Sequence, residues 1–221
     1  MLDDMTLDPP GSIAVVGAGP LGIEAALYGR YLGYDVTLIE AVQIANSLHD
    51  RKAETLPVPP DRCCSPLASA ALQSQYPDFA ASTKPLTICQ WIDDVLVPLT
   101  ETDLLRGRLI CPCRVVEIQT VQIELDEQDD IEEEIPPDFR LTVCGVDGTQ
   151  SIDAESVILA VGEQADIVFR FELPAPYCFR IGQRPAANAE AAFWTGLREI
   201  VSLYASLVGR EDLDLYRPRR H

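Results

Sequence analysis

Basic side chains are scarce in this sequence. Seventeen Lys and Arg face 35 Asp and Glu over 221 residues, giving a formal charge of −18 and a pI near 4.3. Nucleic acid and anionic membrane faces are polyanions, so the long-range term toward both is repulsive and a general binder of either is excluded. No apolar run approaches the roughly 20 residues of a membrane-crossing helix. Residues 1–11 are acidic and Pro-containing, without the basic and apolar regions of a secretory signal, and read as a flexible lead. Histidine is nearly missing: only His49 is internal, and with no nucleophile-elbow context around it, it reads as a surface residue of a polar loop. The seven cysteines (63, 64, 89, 111, 113, 144, 178) are odd in number and scattered, which argues against a disulfide framework and for a reducing, cytoplasmic setting. What is plentiful is apolar surface, 47% of residues, the share of a packed globular chain. The length allows one large domain but scarcely two nucleotide-binding folds side by side.

From Ser12 the pattern sharpens. An apolar strand, Ile13 to Val16, runs into a glycine-rich turn, a helix from about Pro20 to Leu32 closed by Gly33, and a second strand, Val36 to Ile39. Strand, helix and strand within about 30 residues make a βαβ unit with parallel strands. Residues 41–66 read as a long surface connection, because LPVPP (56–60) cannot be a regular helix. A short helix opens at Pro66 and runs through Gln73. Another follows Pro85, with Cys89, Ile92, Leu96 and Leu99 on one stripe and Pro98 at its end. The middle is β-rich: Leu109–Ile118 and Phe139–Val146 read as strands, with Asp147-Gly148 as a hairpin signal. Between them, residues 124–138 hold nine carboxylates and no basic residue, the pattern of a solvated loop; the Asp/Asn spacing and central Gly of a calcium loop are missing. Ser156–Val161 reads as a fully apolar strand before Gly162, Tyr177–Ile181 as a strand before Gly182, and about Ala186 to Val208 as a long amphipathic helix, followed by a polar tail with Arg217, Arg219 and Arg220 solvated.

VVGAGPLG places Gly17, Gly19 and Gly22 in the G-x-G-x-x-G spacing. Gly17 permits a tight turn out of the strand, Gly19 lets backbone approach a pyrophosphate, and Gly22 lets the helix lie close to the strand. The helix start, Ala18 through Leu21 with Pro20 at its first position, then presents unpaired N–H groups and a positive dipole end. Glu40 closes the next strand twenty-three positions after Gly17. A carboxylate there accepts hydrogen bonds from both hydroxyls of an adenosine ribose and repels a 2′-phosphate. Strand, turn, helix and acid together point to a dinucleotide.

These residues resemble the FAD-binding domain of the two-dinucleotide-binding-domain flavoproteins, the superfamily of thioredoxin reductases, glutathione reductases and flavin-containing monooxygenases. Proline after the second glycine and Glu, not Asp, at position 40 are commoner in its FAD-binding members than in NAD dehydrogenases, so FAD is the expected cofactor and NAD the second choice. Ala41, next to the acid, is expected at the same site. VILAVG (157–162) resembles the strand and Gly162 where the family's chain leaves the FAD domain. FRIGQ (179–183) resembles the return strand, whose Gly-Asp pair, here Gly182 and Gln183, meets the ribityl chain and pyrophosphate. The next helix resembles the one whose N-terminus faces the flavin pyrimidine, RVVEI (114–118) the strand that pairs with adenine at Val115, and SPLASAAL (65–72) a region near the isoalloxazine.

Three departures bear on function. The family inserts an NAD(P)H-binding domain between the two late glycine strands; here only residues 163–176 separate them, and no second glycine fingerprint exists. Gln183 replaces the acid of the Gly-Asp pair, losing a charge-assisted bond roughly twice as strong as a neutral one. The glycine-rich contact after the ribose acid is missing, since AVQIANSLHDR follows Glu40.

Cys63-Cys64 and Cys111-Pro-Cys113 lack structural zinc spacing, so no metal site is expected, and they read as buried, unreactive thiols. Trp91 and Trp194 read as core or interface. The expected fold is α/β: a Rossmann-like parallel sheet with an inserted three-stranded antiparallel β-meander and a long C-terminal helix. Residues 12–209 form one FAD/NAD(P)-binding-type domain and 210–221 a tail. The expected function is flavin redox chemistry, with electrons from a separate reductase or partner chain or from an unidentified small-molecule substrate, and with no side chain named as acid or base. A non-catalytic dinucleotide-binding or interaction module is the alternative.

Overall fold

The computed structural model describes residues 6–121, 138–162 and 165–217. The acidic stretch 124–138 lies outside the described residues except for Asp138, as do Arg219 and Arg220. The chain begins with the βαβ unit: β1 (Ser12–Val16), α1 (Pro20–Leu32) and β2 (Asp35–Ile39). Gly33 caps α1 in the left-handed region at φ 95°, its N–H returning to the Arg30 and Gly29 carbonyls. The long connection holds two 3₁₀ turns, Asn46–Arg51 and Pro60–Arg62, and leads to α2 (Pro66–Gln75). Next come α3 (Ile88–Trp91), a π-helical turn (Ile92–Leu96) and α4 (Val97–Thr100). Then follow β3 (Leu109–Ile110), β4 (Cys113–Val121), β5 (Asp138–Gly145), β6 (Gly148–Ala154), β7 (Ser156–Leu159), β8 (Val168–Phe169), β9 (Cys178–Arg180) and α5 (Ala189–Val208).

Two sheets result. The first, in the order β3-β2-β1-β7-β9, is parallel throughout. Every residue of β7 is buried, as expected of a parallel strand covered on both faces. The second sheet has the order β6-β5-β4-β8: an antiparallel meander of β4 to β6, with β8 added parallel to β4. The architecture is therefore the α/β, Rossmann-like one, and its meander carries a fourth strand that the sequence pattern did not show. A two-residue pairing such as Glu117–Val168 and Ile118–Phe169 is too short to produce a period.

Two further expectations are corrected. Leu109–Ile118 is not one strand: Leu109 and Ile110 extend the parallel sheet beside Leu38 and Ile39, and Cys113 onward joins the second sheet. Pro112 stands between them, with no N–H to continue either ladder. As a result Cys111 is exposed, while Cys113 is buried. Pro98 does not end its helix either. The π turn precedes it, and Pro98 sits in the first turn of α4, where its missing N–H is not needed. The buried stripe there is Ile88, Trp91, Ile92, Val95, Leu96 and Leu99, with Cys89 off it.

Both chain ends that are described pack onto α1 and α5. Leu7 donates its N–H to the Leu207 carbonyl, and Tyr34 donates its hydroxyl to the Leu7 carbonyl. Leu213 is buried, and Leu215 donates its N–H to the Tyr28 hydroxyl. Arg217 pairs with Asp214 at 2.9 Å. No helix among the described residues is long and apolar enough to cross a membrane.

Candidate functional site

Register brings the predicted residues to one edge. Val16 lies opposite Ile39 and Leu159, and Leu159 opposite Arg180, so β1, β2, β7 and β9 end level with one another. Gly17, Glu40, Gly162 and Gly182 therefore emerge side by side at the carboxyl edge of the parallel sheet, the edge where open α/β sheets bind ligands.

The three glycines of the first turn have different reasons to be glycine. Gly17 has φ +104°, and a Cβ there would stand 2.8 Å from the Ala160 carbonyl oxygen. At Gly22 a Cβ would run into the Gly17 carbonyl. Gly19, the N-cap of α1, has an ordinary φ of −76°, and a Cβ built on it meets no atom within 4 Å. Neither conformation nor packing demands a glycine at position 19; what its missing side chain leaves is free space against the backbone.

That space belongs to a cavity of about 500 Å³, within the usual 300–1,000 Å³ of small-molecule sites. Gly19, Pro20 and Leu21 form one wall, Gly162 and Gly182 another, and Leu56, Val58, Ile88, Trp91 and Phe193 an apolar end. Among the described residues the Gly19 and Leu21 N–H groups on this wall make no hydrogen bond, nor does that of buried Gly22 behind them. Trp91, 4% exposed, also carries a buried Nε1–H with no partner. The unspent Gly19 and Leu21 donors at this open space fit a diphosphate-bearing ligand.

Glu40 is placed as expected, beneath the first turn, and it already has work within the chain. Its Oε2 accepts from the Ala18 N–H at 2.8 Å and its Oε1 from the Val42 N–H at 3.0 Å. Ala18 is fully buried, its carbonyl accepting from the Ala45 N–H at 2.9 Å. The carboxylate thus ties the glycine turn to the loop after β2, and each oxygen keeps a lone pair for a sugar hydroxyl. It faces a recess of about 130 Å³, shared with Gly17, Ala41 and Val115 and bounded by Ala165, Asp166 and Ile167. The structure thus brings together Gly17, Glu40, Ala41 and Val115, the residues expected on the adenosine side.

The second turn departs from expectation. Gly182 lines the main cavity at φ +78°, but Gln183 faces a separate recess of about 20 Å³ with Arg180 and Phe169. Gln183 is therefore not brought to Gly19; the left-handed turn at Gly182 sends the following side chain to the other side. Gly182 instead donates its N–H to Glu199 Oε2 at 2.7 Å, and Glu199 Oε1 pairs with Arg184 Nε at 3.0 Å. The start of α5 is served by its own residues: the Asn188 side chain accepts from the Ala191 N–H at 2.8 Å, and Glu190 lies 3.7 Å from Arg62. SPLASAAL forms α2, whose N-cap Ser65 donates its hydroxyl to Glu24 and does not reach the cavity.

Cys63 and Cys64 are held as thiols. Burial pushes the Cys63 and Cys64 thiols up to about 12, so neither is ionised at neutral pH, although Cys63 lines the cavity. The loop after β2 does fold over the cavity, with Ser47, Leu48 and Arg51; His49 turns away, its Nε2 3.1 Å from the Ile44 carbonyl.

Glu199, Arg51, Trp91 and Glu24 escape a reading of the sequence by motif. Only Glu199 leaves a trace there, an acid on the buried stripe of Phe193, Gly196, Ile200 and Leu203.

No protein-family model matches the chain, and no curated protein matches it. Among solved structures, a bacillithiol disulfide reductase Bdr (YpdA) from Bacillus cereus aligns over 69% of this chain and 40% of its own, with 18% identity and a TM-score of 0.47. An oxidized steroid monooxygenase bound to NADP aligns over 69% and 26%, with 22% identity and a TM-score of 0.48. An FAD-bound form of OTEMO aligns over 71% and 26%, with 18% identity and a TM-score of 0.48. The chain thus spans two-fifths or less of these neighbours' lengths.

Proposed function

We propose that this chain binds an adenine dinucleotide, FAD first and NAD second, and that it serves as an FAD-binding oxidoreductase-like protein supplied with electrons by a separate reductase or by a small-molecule substrate. The observation that carries the reading is Gly19: a glycine required by neither backbone nor packing, its own amide and that of Leu21 unspent, opening on a cavity of about 500 Å³. A diphosphate there accepts from the Gly19 and Leu21 N–H groups at the positive end of α1. Glu40 holds the turn through Ala18 and offers its remaining lone pairs to ribose hydroxyls. The apolar end, with Leu56, Val58, Ile88, Trp91 and Phe193, excludes water from a planar ring. A bound flavin would supply hydride or electron transfer at its N5.

The purified protein tests this directly. It should be yellow, or turn yellow with FAD, and release flavin on denaturation. A colourless protein that takes up NAD alone moves the site to nicotinamide; one that takes up neither refutes the reading. Rapid bleaching by NAD(P)H without oxygen would refute the separate electron donor.

A non-catalytic binding module is favoured by one observation, Gln183 facing a recess apart from the main cavity. It predicts a bound dinucleotide that dithionite reduces but that no biological donor or substrate reduces faster than it reduces the free dinucleotide.

A further inference from the structure

An acid stands on the buried stripe of α5. Glu199 lies between Gly196 and Ile200, its side chain only 9% exposed, and it lines the same cavity as Gly19. Its ion pair does not account for it, since Arg184 is 74% exposed and such a pair is screened by water. One helical turn earlier, a Cβ on Gly196 would run into Leu21, in the first turn of α1. Leu21 also backs Gly182, 3.0 Å from where a Cβ would be. Leu21 thus separates the α1 amides from the Gly182–Glu199 pair, so one wall of the cavity presents donors and the next an acceptor. A carboxylate has about four lone-pair sites, and two are used here, by the Gly182 N–H and by Arg184. The remaining two accept from hydroxyls and repel phosphate.

We propose that Glu199 is a ligand-binding residue that accepts hydrogen bonds from the hydroxyl-bearing segment joining the diphosphate to the second ring of the dinucleotide, a ribityl chain in FAD or a ribose in NAD. It does from α5 what Gln183, turned to another recess, does not do from the strand side. The inference rests on the dinucleotide reading above, and it adds a selectivity: the site favours hydroxyls beyond the second phosphate and disfavours a third phosphate, as in ATP.

Titrations of the wild type, Glu199→Gln and Glu199→Ala with ADP, ATP, FAD and NAD test it, read by calorimetry and, for FAD, by flavin fluorescence. ADP lacks the hydroxyl-bearing segment and reports on the Gly19 turn alone. Glu199→Ala should weaken whichever dinucleotide binds by roughly 10- to 100-fold, the worth of hydrogen bonds to a charged group, and leave ADP nearly unchanged. Glu199→Gln keeps an acceptor for the Gly182 N–H and removes the charge, so it should weaken the dinucleotide by a smaller factor and tighten ATP. Should the alanine variant fail to fold, the glutamine variant alone decides. Dinucleotide affinity that is unchanged or improved in the folded variants, with ADP still bound, would show Glu199 to be an internal clamp and overturn the proposal. A wild type that binds ADP but neither dinucleotide overturns it while leaving the Gly19 cradle in place. A wild type that binds none of the four refutes the dinucleotide reading itself.

Discussion

The two glycine turns that meet at the cavity differ in what their amides do. In the first, between β1 and α1, the Gly19, Leu21 and Gly22 N–H groups have no acceptor among the described residues. In the second, after β9, the Gly182 N–H is taken by Glu199. Both turns sit at the carboxyl edge of one parallel sheet, so topology alone does not separate them. The side chains brought up against each turn do. Nothing covers Gly19, whereas α5 carries an acid to Gly182. One turn is left as an anion site and the other is converted into an acceptor site.

The sharpest way to break this contrast is to add one methyl group at different glycines. Gly22→Ala drives a Cβ into the Gly17 carbonyl and should cost about 4 kcal/mol or more of stability, read by urea unfolding or as lost soluble protein. Gly19→Ala meets nothing within 4 Å and should cost at most about 1 kcal/mol, the usual penalty of alanine at an N-cap. Its methyl group nevertheless occupies the approach to the amides, so ADP and FAD affinity should fall by about 100-fold, or 2.7 kcal/mol. Equal loss of stability in the two variants would show that position 19 is a folding glycine after all.

A third buried acid shows what a carboxylate does away from any cavity. Glu24, on α1, is 3% exposed and accepts from the Ser65 N–H and hydroxyl and, at 3.4 Å, from the Tyr216 hydroxyl. Burial outweighs those bonds and pushes its carboxyl up from 4.5 to about 7. The folded chain therefore holds this proton more tightly than the unfolded chain does. Its contribution to stability is fully present below pH 4.5 and is lost as pH rises through 7, a decline of about 3 kcal/mol. Glu24→Gln should remove that decline, measured as the difference in unfolding free energy between pH 5 and pH 8 in each protein. An unaltered slope would mean that the carboxyl reaches water.

The first turn was legible in the sequence because everything it needs is local. Three glycines, a proline and an acid at a fixed distance specify a strand, a tight turn and a helix start, and the register of β1 on β2 then delivers Glu40 beneath Ala18. The second turn was not legible, because its chemistry joins residues from separate elements. Gly182 and Glu199 are seventeen positions apart and meet only because α5 folds back on α1 through Gly196 and Leu21. A positive φ at Gly182 decides where Gln183 points, and no residue pattern states it. The break at Pro112 was visible as a residue but not as a change of sheet, since both halves alternate like strands.

Glu40 tests whether the open turn is built before a ligand arrives. Glu40→Ala strips the acceptors from the Ala18 and Val42 N–H groups and should cost about 2 kcal/mol of stability without any ligand present. It should also weaken ADP, through the turn and through the ribose. Glu40→Gln keeps one acceptor oxygen and should fall between the two. If Glu40→Ala weakens ADP with no change in unfolding free energy, the carboxylate belongs to the ligand and not to the turn.

The smallest effect is expected at Trp91, and its sign is the informative part. The indole Nε1–H is buried without an acceptor, so the folded chain bears a desolvation cost there. Trp91→Phe removes the donor and part of the ring, exchanging that cost for lost packing against the apolar end of the cavity. The two terms oppose each other, so unliganded stability should change by less than about 1 kcal/mol in either direction. Ligand binding feels only the smaller ring at the apolar end, so affinity for FAD should drop by up to several-fold, and affinity for ADP, which ends short of that end, should hold. A matching loss for ADP would place Trp91 beside the diphosphate and collapse the distinction between the donor wall at Gly19 and the ring-binding end.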